Sequence, residues 1–184
     1  MKNTTYKITI VAVAAIINII GDQLALLLRL PVYLDCIGTV ICAALLGPLW
    51  GMLPNAISGI IMGFAVDIYA LYYAPVGLLF GFITGLLCMH GIPKKFKVIP
   101  VALLITLPTS IFTAAITAYI FGGITSAGST VLIQALAKTN FSLIQSCFIV
   151  QFATDFVDRV IALLIAGKAV DLIPSDVKDN VAMR

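Results

Sequence analysis

"YLDCIGTVICAALLGPLWGMLPNAISGIIMGFAVD" runs from Tyr33 to Asp67, and no charged side chain lies between Asp35 and Asp67. How often this stretch crosses a membrane decides the fold. As one helix, residues 36–66 would reach about 46 Å. The hydrocarbon core of a bilayer is about 30 Å thick, so a single upright span is too long. Gly47, Pro48 and Gly51 in "LLGPLWG" supply helix breakers near the middle. They divide the stretch into two short spans folded back on each other.

Composition agrees with a membrane setting. The chain has 184 residues, of which 61% are hydrophobic and 10% charged, with mean hydropathy +1.14. A soluble domain carries about 25% charged residues. The acids are all Asp, and the net charge of +3 is unevenly spread, which is a topology signal and not a nucleic-acid footprint. Cys36, Cys42, Cys88 and Cys147 are scattered through apolar runs with no C-x-x-C or zinc spacing, so they read as small core residues. Lys2 and Lys7 precede "ITIVAVAAIINIIG", which reads as a first span and not as a cleaved signal peptide.

Working outward, the first run ends near Ile20 or continues past Asp22 and Gln23 to Leu28. "RLPVYLD" and "DIYALYYAP" read as loops, as does the Gly/Ser/Thr-rich "GGITSAGST". A polar amphipathic piece, "VLIQALAKTN", precedes the last long run. The expected spans are approximately 8–28, 36–47, 50–66, 75–90, 98–121 and 142–168, in one membrane domain covering residues 1–184.

Basic residues fix the parity. Lys2 and Lys7, then Lys94, Lys95 and Lys97, then Lys168, Lys178 and Arg184 form three clusters. The positive-inside rule assigns all three to the cytoplasm. An even number of crossings must then separate the first two clusters, which requires the opening stretch to be a hairpin. The expected fold is all-α and polytopic, with six transmembrane helices and both termini cytoplasmic. Asp35 and Asp67 then share the outer mouth with Asp22, Arg29, Tyr33, Tyr69, Tyr72, Tyr73 and Asn140.

Ionisable residues within spans are by default functional candidates. In "QSCFIVQFATDFVDRVIALLIAGK", Gln151 and Asp155 share a helix face, and Asp155 and Arg159 are spaced for an ion pair. Asp158 and Arg159 read either as a structural lock or as site residues. Gln145, Gln151 and Asp155, nearer the outer half, are expected to line a solute cavity. Asn55 and Ser58 follow Pro54 and either line the site or satisfy carbonyls freed by the proline. Thr84, Thr113 and Thr117 read as interhelical hydrogen-bonders. The tyrosine cluster suits an interfacial belt or a stacking wall equally. Gly77, Gly81 and Gly85 form a small-residue stripe suited to internal packing or to docking on a partner. The single histidine, His90, forms no metal site or catalytic pair.

Catalytic signatures are absent. The sequence has no Walker A motif, no H-E-x-x-H and no G-x-S-x-G, and Asp155 and Asp158 on one helix are not a two-helix protease dyad. No enzymatic activity, cofactor, metal or nucleic-acid partner is expected.

"LPVYLDCIGTVICAALLGPLWGMLPNAISGI" and "DFVDRVIALLIA" resemble the second and third spans, and the last span, of the S components of energy-coupling factor (ECF) transporters. The resemblance implies a substrate-binding subunit of an ABC importer in a prokaryotic plasma membrane. It implies binding of a vitamin or related micronutrient outside, docking on a coupling membrane subunit with two ATPase subunits, and toppling to face the cytoplasm. ATP hydrolysis belongs to those partners. Small residues of the first span, here Ala12 and Ala15, are the implied docking contacts. The implied substrate-binding set is Tyr33, Asp35, Asn55, Asp67, Tyr72, Asn140, Gln145, Gln151 and Asp155. Acids and tyrosines in that set favour a neutral or weakly basic ring with hydroxyls over a strong anion. A vitamin B6 form such as pyridoxine is the first expectation, and a nucleoside or thiazole/pyrimidine vitamin precursor the second. The competing class is a small membrane enzyme or oligomeric channel. The segment "TSAGSTVLIQALAKTN" is expected to close as a lid, because Gly122, Gly123 and Gly128 give it a flexible lead-in.

Overall fold

The structure is a computed structural model that describes residues 2–174. The expectations that rest on Lys178 and Arg184 lie outside the described residues. Among the described residues the regular structure is entirely helical: α1 (Lys2–Leu27), α2 (Ile37–Leu46), α3 (Pro48–Gly51), α4 (Leu53–Ala65), α5 (Ile68–Cys88), α6 (Val98–Tyr119), α7 (Ser129–Ala137) and α8 (Leu143–Leu172), with a 3-10 turn at Lys95–Lys97.

Four helical segments are long and apolar enough to cross a membrane: Thr4–Leu27, Pro48–Ala65, Ile68–Cys88 and Lys95–Tyr119. The first takes the longer of the two readings and runs past Asp22 and Gln23. Helix α2 is apolar but only 10 residues long, about 15 Å. Helix α8 has 30 residues but carries Asp155, Asp158 and Arg159 at its middle.

The distribution of polarity is inverted relative to a water-soluble bundle. Ile16, Ile20, Phe64, Leu104, Ile111 and Phe112 face outward, while Asn18, Thr39, Thr106, Ser110, Gln151 and Asp158 are buried. Such a bundle presents lipid-compatible side chains outside and satisfies polar groups among its own helices. This marks a membrane protein.

The hairpin forms as its breakers dictate. Gly47 adopts φ 81°, which favours glycine, and Pro48 starts α3 at a position that needs no N–H donor. The returning arm brings the Asn55 amide to the Asp35 carbonyl, 3.3 Å away. The tip seats on α5. A Cβ at Gly81 would lie 2.2 Å from the Gly51 carbonyl oxygen, and one at Gly85 would lie 2.3 Å from Pro48 Cα. The glycine stripe of α5 is therefore spent on internal packing.

Helix α5 begins at Ile68, seven residues before the expected span. Asp67 is its N-cap and accepts the Tyr69 N–H at 3.1 Å. Pro75 is carried inside the helix, so "DIYALYYAP" is helical and not a loop. Asp22 likewise belongs to α1 and not to a loop.

The central core joins α2, α5, α6 and α8 through Val40, Phe80, Ile105, Ala162 and Leu163. Contacts sort the loops to two ends. Lys7 lies 5.7 Å from the ring of Trp50 at the hairpin tip, and Lys94 pairs with Asp171 in the last turn of α8 at 2.7 Å. The start of α1, the hairpin tip, the 89–97 loop and the end of α8 therefore gather at one end. At the other, Ser126 bonds Asp67, Tyr69 stacks edge-on against Phe121, and Gly128 packs on the Arg29 carbonyl.

Candidate functional site

A cavity of about 90 Å3 opens at this second end. Its walls follow helical periodicity. Helix α4 contributes Asn55, Ser58, Gly59 and Met62, at spacings of three, four and seven. Helix α5 contributes Tyr69, Ala70, Tyr73, Val76, Gly77 and Phe80. Asp22 and Leu26 come from α1, Thr113 from α6, and Asp155 and Arg159 from α8. The loop after α1 adds Tyr33 and Asp35, and the segment before α7 adds Thr125 and Ser126.

The 28–36 loop reaches deep because α8 holds it. Leu34 N–H donates to Asp158 Oδ1 at 2.9 Å, and the Cys36 thiol donates to Asp158 Oδ2 at 2.9 Å. Leu34 sits at φ 55°, and its carbonyl rests on Gly21, where a Cβ would come within 2.0 Å. Asp158 thus places a carboxylate at the start of α2, whose N-cap Cys36 makes no side-chain cap of its own.

Arg159 completes this knot. Its Nη1 lies 2.5 Å from Asp158 Oδ2 and 3.1 Å from Cys36 Sγ, and its guanidinium lies 4.3 Å from the Phe80 ring centroid. The ion pair expected between Asp155 and Arg159 does not form. Arg159 pairs with its neighbour Asp158, while Asp155 accepts from the Ser110 hydroxyl at 2.7 Å. Asp35, Cys36 and Asp158 also lie close enough to hold a metal ion. The guanidinium already pairs with Asp158 in that corner, so the arrangement is an ion-paired knot with Asp35 beside it.

Thr117 links three helices. Its hydroxyl donates to the Thr113 carbonyl at 2.8 Å, so the 2.7 Å contact with Tyr73 has the tyrosine as donor. Gln151 Nε2 donates to the same oxygen at 3.2 Å. Thr117 is therefore interhelical as expected, whereas Thr113 bonds back to Thr109 and Thr84 Oγ1 has no partner. The Tyr33 hydroxyl lies within reach of Ser129 and Gln151, although Ser129 Oγ and Gln151 Oε1 have no formed hydrogen bond.

Of the sequence-derived set, Tyr33, Asp35, Asn55, Asp67 and Asp155 line the cavity. Tyr72 does not; it is exposed and packs edge-on against Phe121. Asn140 is exposed before α8. Gln145 is used in the capping box with Ser142 at the start of α8. Gln151 is fully buried behind the wall, on Thr117. Ala12 faces outward, but Ala15 is buried within the fold and cannot be a docking contact.

Sequence reasoning missed Met62 and Phe80 as wall residues, and left Ser58, Tyr69, Tyr73 and Arg159 undecided. The signal was present in the i, i+4 spacing of Tyr69 and Tyr73, which excludes Tyr72 from the same face. No protein-family model, no curated protein and no solved structure matches the chain.

Proposed function

We propose that this chain is the substrate-binding membrane subunit of an ECF-type ABC importer in a prokaryotic plasma membrane. It crosses the membrane six times with both ends in the cytoplasm and takes up a vitamin or related micronutrient. The observation that carries the reading is the cavity itself. It lies inside an apolar-surfaced bundle and is walled by five carboxamide and carboxylate side chains and four aromatic rings, drawn from α1, α4, α5, α8 and the 28–36 loop.

The gathering of Lys7, Trp50 and Lys94 at the opposite end supports the six-span parity. The Ser126–Asp67 bond and the Thr125 wall contact support a lid role for the segment before α7. In this reading the chain performs no chemistry, and coupling and ATPase subunits drive transport. A vitamin B6 form is the first substrate to test, because a small hydroxylated ring matches the tyrosine and asparagine walls.

The test is direct. The protein, purified in mild detergent, should release a small molecule on denaturation that mass spectrometry identifies as a micronutrient. Uptake of that molecule into cells should require the coupling module. Turnover of a lipid by the purified chain, with no saturable binding of any micronutrient, would refute the reading.

A further inference from the structure

The cavity has a charge imbalance. Asp22, Asp35, Asp67 and Asp155 line it, and Arg159 is its one basic wall residue. Arg159 is already neutralised by Asp158, which lies outside the wall. Asp22 is within electrostatic reach of both Asp35 and Asp67, and Asp35 is within reach of Asp155. Like charges at such range, screened from water, repel strongly.

The side-chain hydrogen bonds leave these groups open to a guest. Asp67 is occupied by the Tyr69 N–H and the Ser126 hydroxyl. Asp155 is 2% exposed, and only its Oδ2 is hydrogen-bonded, to Ser110. Its other oxygen belongs to a wall residue and has no partner among the described residues. Arg159 is 9% exposed; only its Nη1 carries hydrogen bonds, and its Nε has no partner. A carboxylate oxygen open to the cavity can take a donor, and the buried, unpartnered Nε–H of the guanidinium calls for an acceptor.

Resting on the importer reading, we propose that the solute is a small organic cation with an uncharged acceptor group at its other end. The cationic group lies against Asp22 and Asp35, with the free Asp155 oxygen taking a donor. The acceptor, a hydroxyl or ring heteroatom, turns toward Arg159, whose unpartnered Nε–H is a donor and so sets the orientation. Tyr69 and Tyr73 flank the body of the molecule, and aromatic faces add to the attraction for a cation; the Phe80 face is already covered by Arg159.

The test uses the full chain in nanodiscs and calorimetric titration at neutral pH. The cationic probes are pyridoxamine, thiamine and choline; the neutral ones are pyridoxine, uridine and riboflavin; the anionic ones are pantothenate and 4-pyridoxate. Saturable binding confined to cations, with at least a tenfold advantage over the best neutral probe, is the expected result. In Asp35→Asn that advantage should fall to about threefold or less. Asp22→Asn, at the more accessible wall, should weaken the cation selectively even if the first variant folds poorly. A neutral or anionic probe binding as tightly as any cation overturns this inference and leaves the importer reading standing. No saturable binding by any probe, together with no molecule released from the purified protein, overturns both.

Discussion

At the residue scale, Asp158 is the side chain on which most depends. It accepts from the Leu34 amide, the Cys36 thiol and the Arg159 guanidinium at once. Asp158→Ala would leave a buried guanidinium without its counter-ion, a loss of about 3–5 kcal/mol. Asp155→Ala strands only the Ser110 hydroxyl and should cost about 1–3 kcal/mol. Thermal unfolding in detergent should therefore rank Asp158→Ala well below Asp155→Ala, and an equal or reversed ranking would refute the knot as the anchor of the 28–36 loop. The sequence marked the acids of this helix as candidates but not how they divide. Spacing of four suggested Asp155 with Arg159. The actual partner is one residue away because the guanidinium bends toward the carboxylate already fixed by the loop.

At the element scale, the contact between α5 and the hairpin separates yielding from unyielding neighbours. A Cβ at Gly77 would lie 1.9 Å from Asn55 Oδ1, the end of a side chain. A Cβ at Gly81 would meet backbone, the Gly51 oxygen at 2.2 Å and Met52 Cα at 2.7 Å. Gly77→Ala should cost about 1–3 kcal/mol by overpacking, and Asn55→Ala in the same chain should recover part of it. Gly81→Ala should cost more, and no side-chain truncation should relieve it. A double-mutant cycle read by thermal midpoint checks both statements; absence of any coupling between positions 55 and 77 would contradict the packing described.

Helix existence was legible at this scale from apolar runs and breakers, and the Gly47-Pro48 turn was readable to the residue. The start of α5 was not. Three tyrosines and Pro75 read as a loop, but a proline in the second turn of a helix removes one hydrogen bond, and Asp67 caps the end that precedes it. Within the site, the residues that failed were those whose chain position was right and whose azimuth or local duty was not. Tyr72 lies one residue from the Tyr69–Tyr73 face, and Gln145 is consumed by its own helix terminus. Neither outcome is visible without knowing which way each helix turns.

At the scale of the whole molecule, the two gathered ends make a topology prediction. Reporters fused after Lys97 and within the 120–128 segment should report opposite sides of the membrane, with the first cytoplasmic. An external reading after Lys97 would undo the hairpin, and the same side for both would remove α6 as a span. The inverted polarity of the bundle also has an energetic meaning: its buried threonines and acids are tolerated because other helices satisfy them, as Asn18 does for Thr39 at 2.7 Å.

The tie from Asp158 back to Leu34 and Cys36 also sets an order of events during biosynthesis. Helices α1 to α7 leave the ribosome before the carboxylate that organises the 28–36 loop has been translated. Until α8 emerges, the Leu34 amide and the Cys36 thiol lack the acceptor that draws the loop inward. Helix α8 is in turn a poor candidate for the translocon on its own, since each central Asp or Arg costs about 2.5–3.5 kcal/mol to insert. Ser110 of α6 and Cys36 at the N-cap of α2, both made earlier, are the partners that its Asp155, Asp158 and Arg159 find in the folded chain.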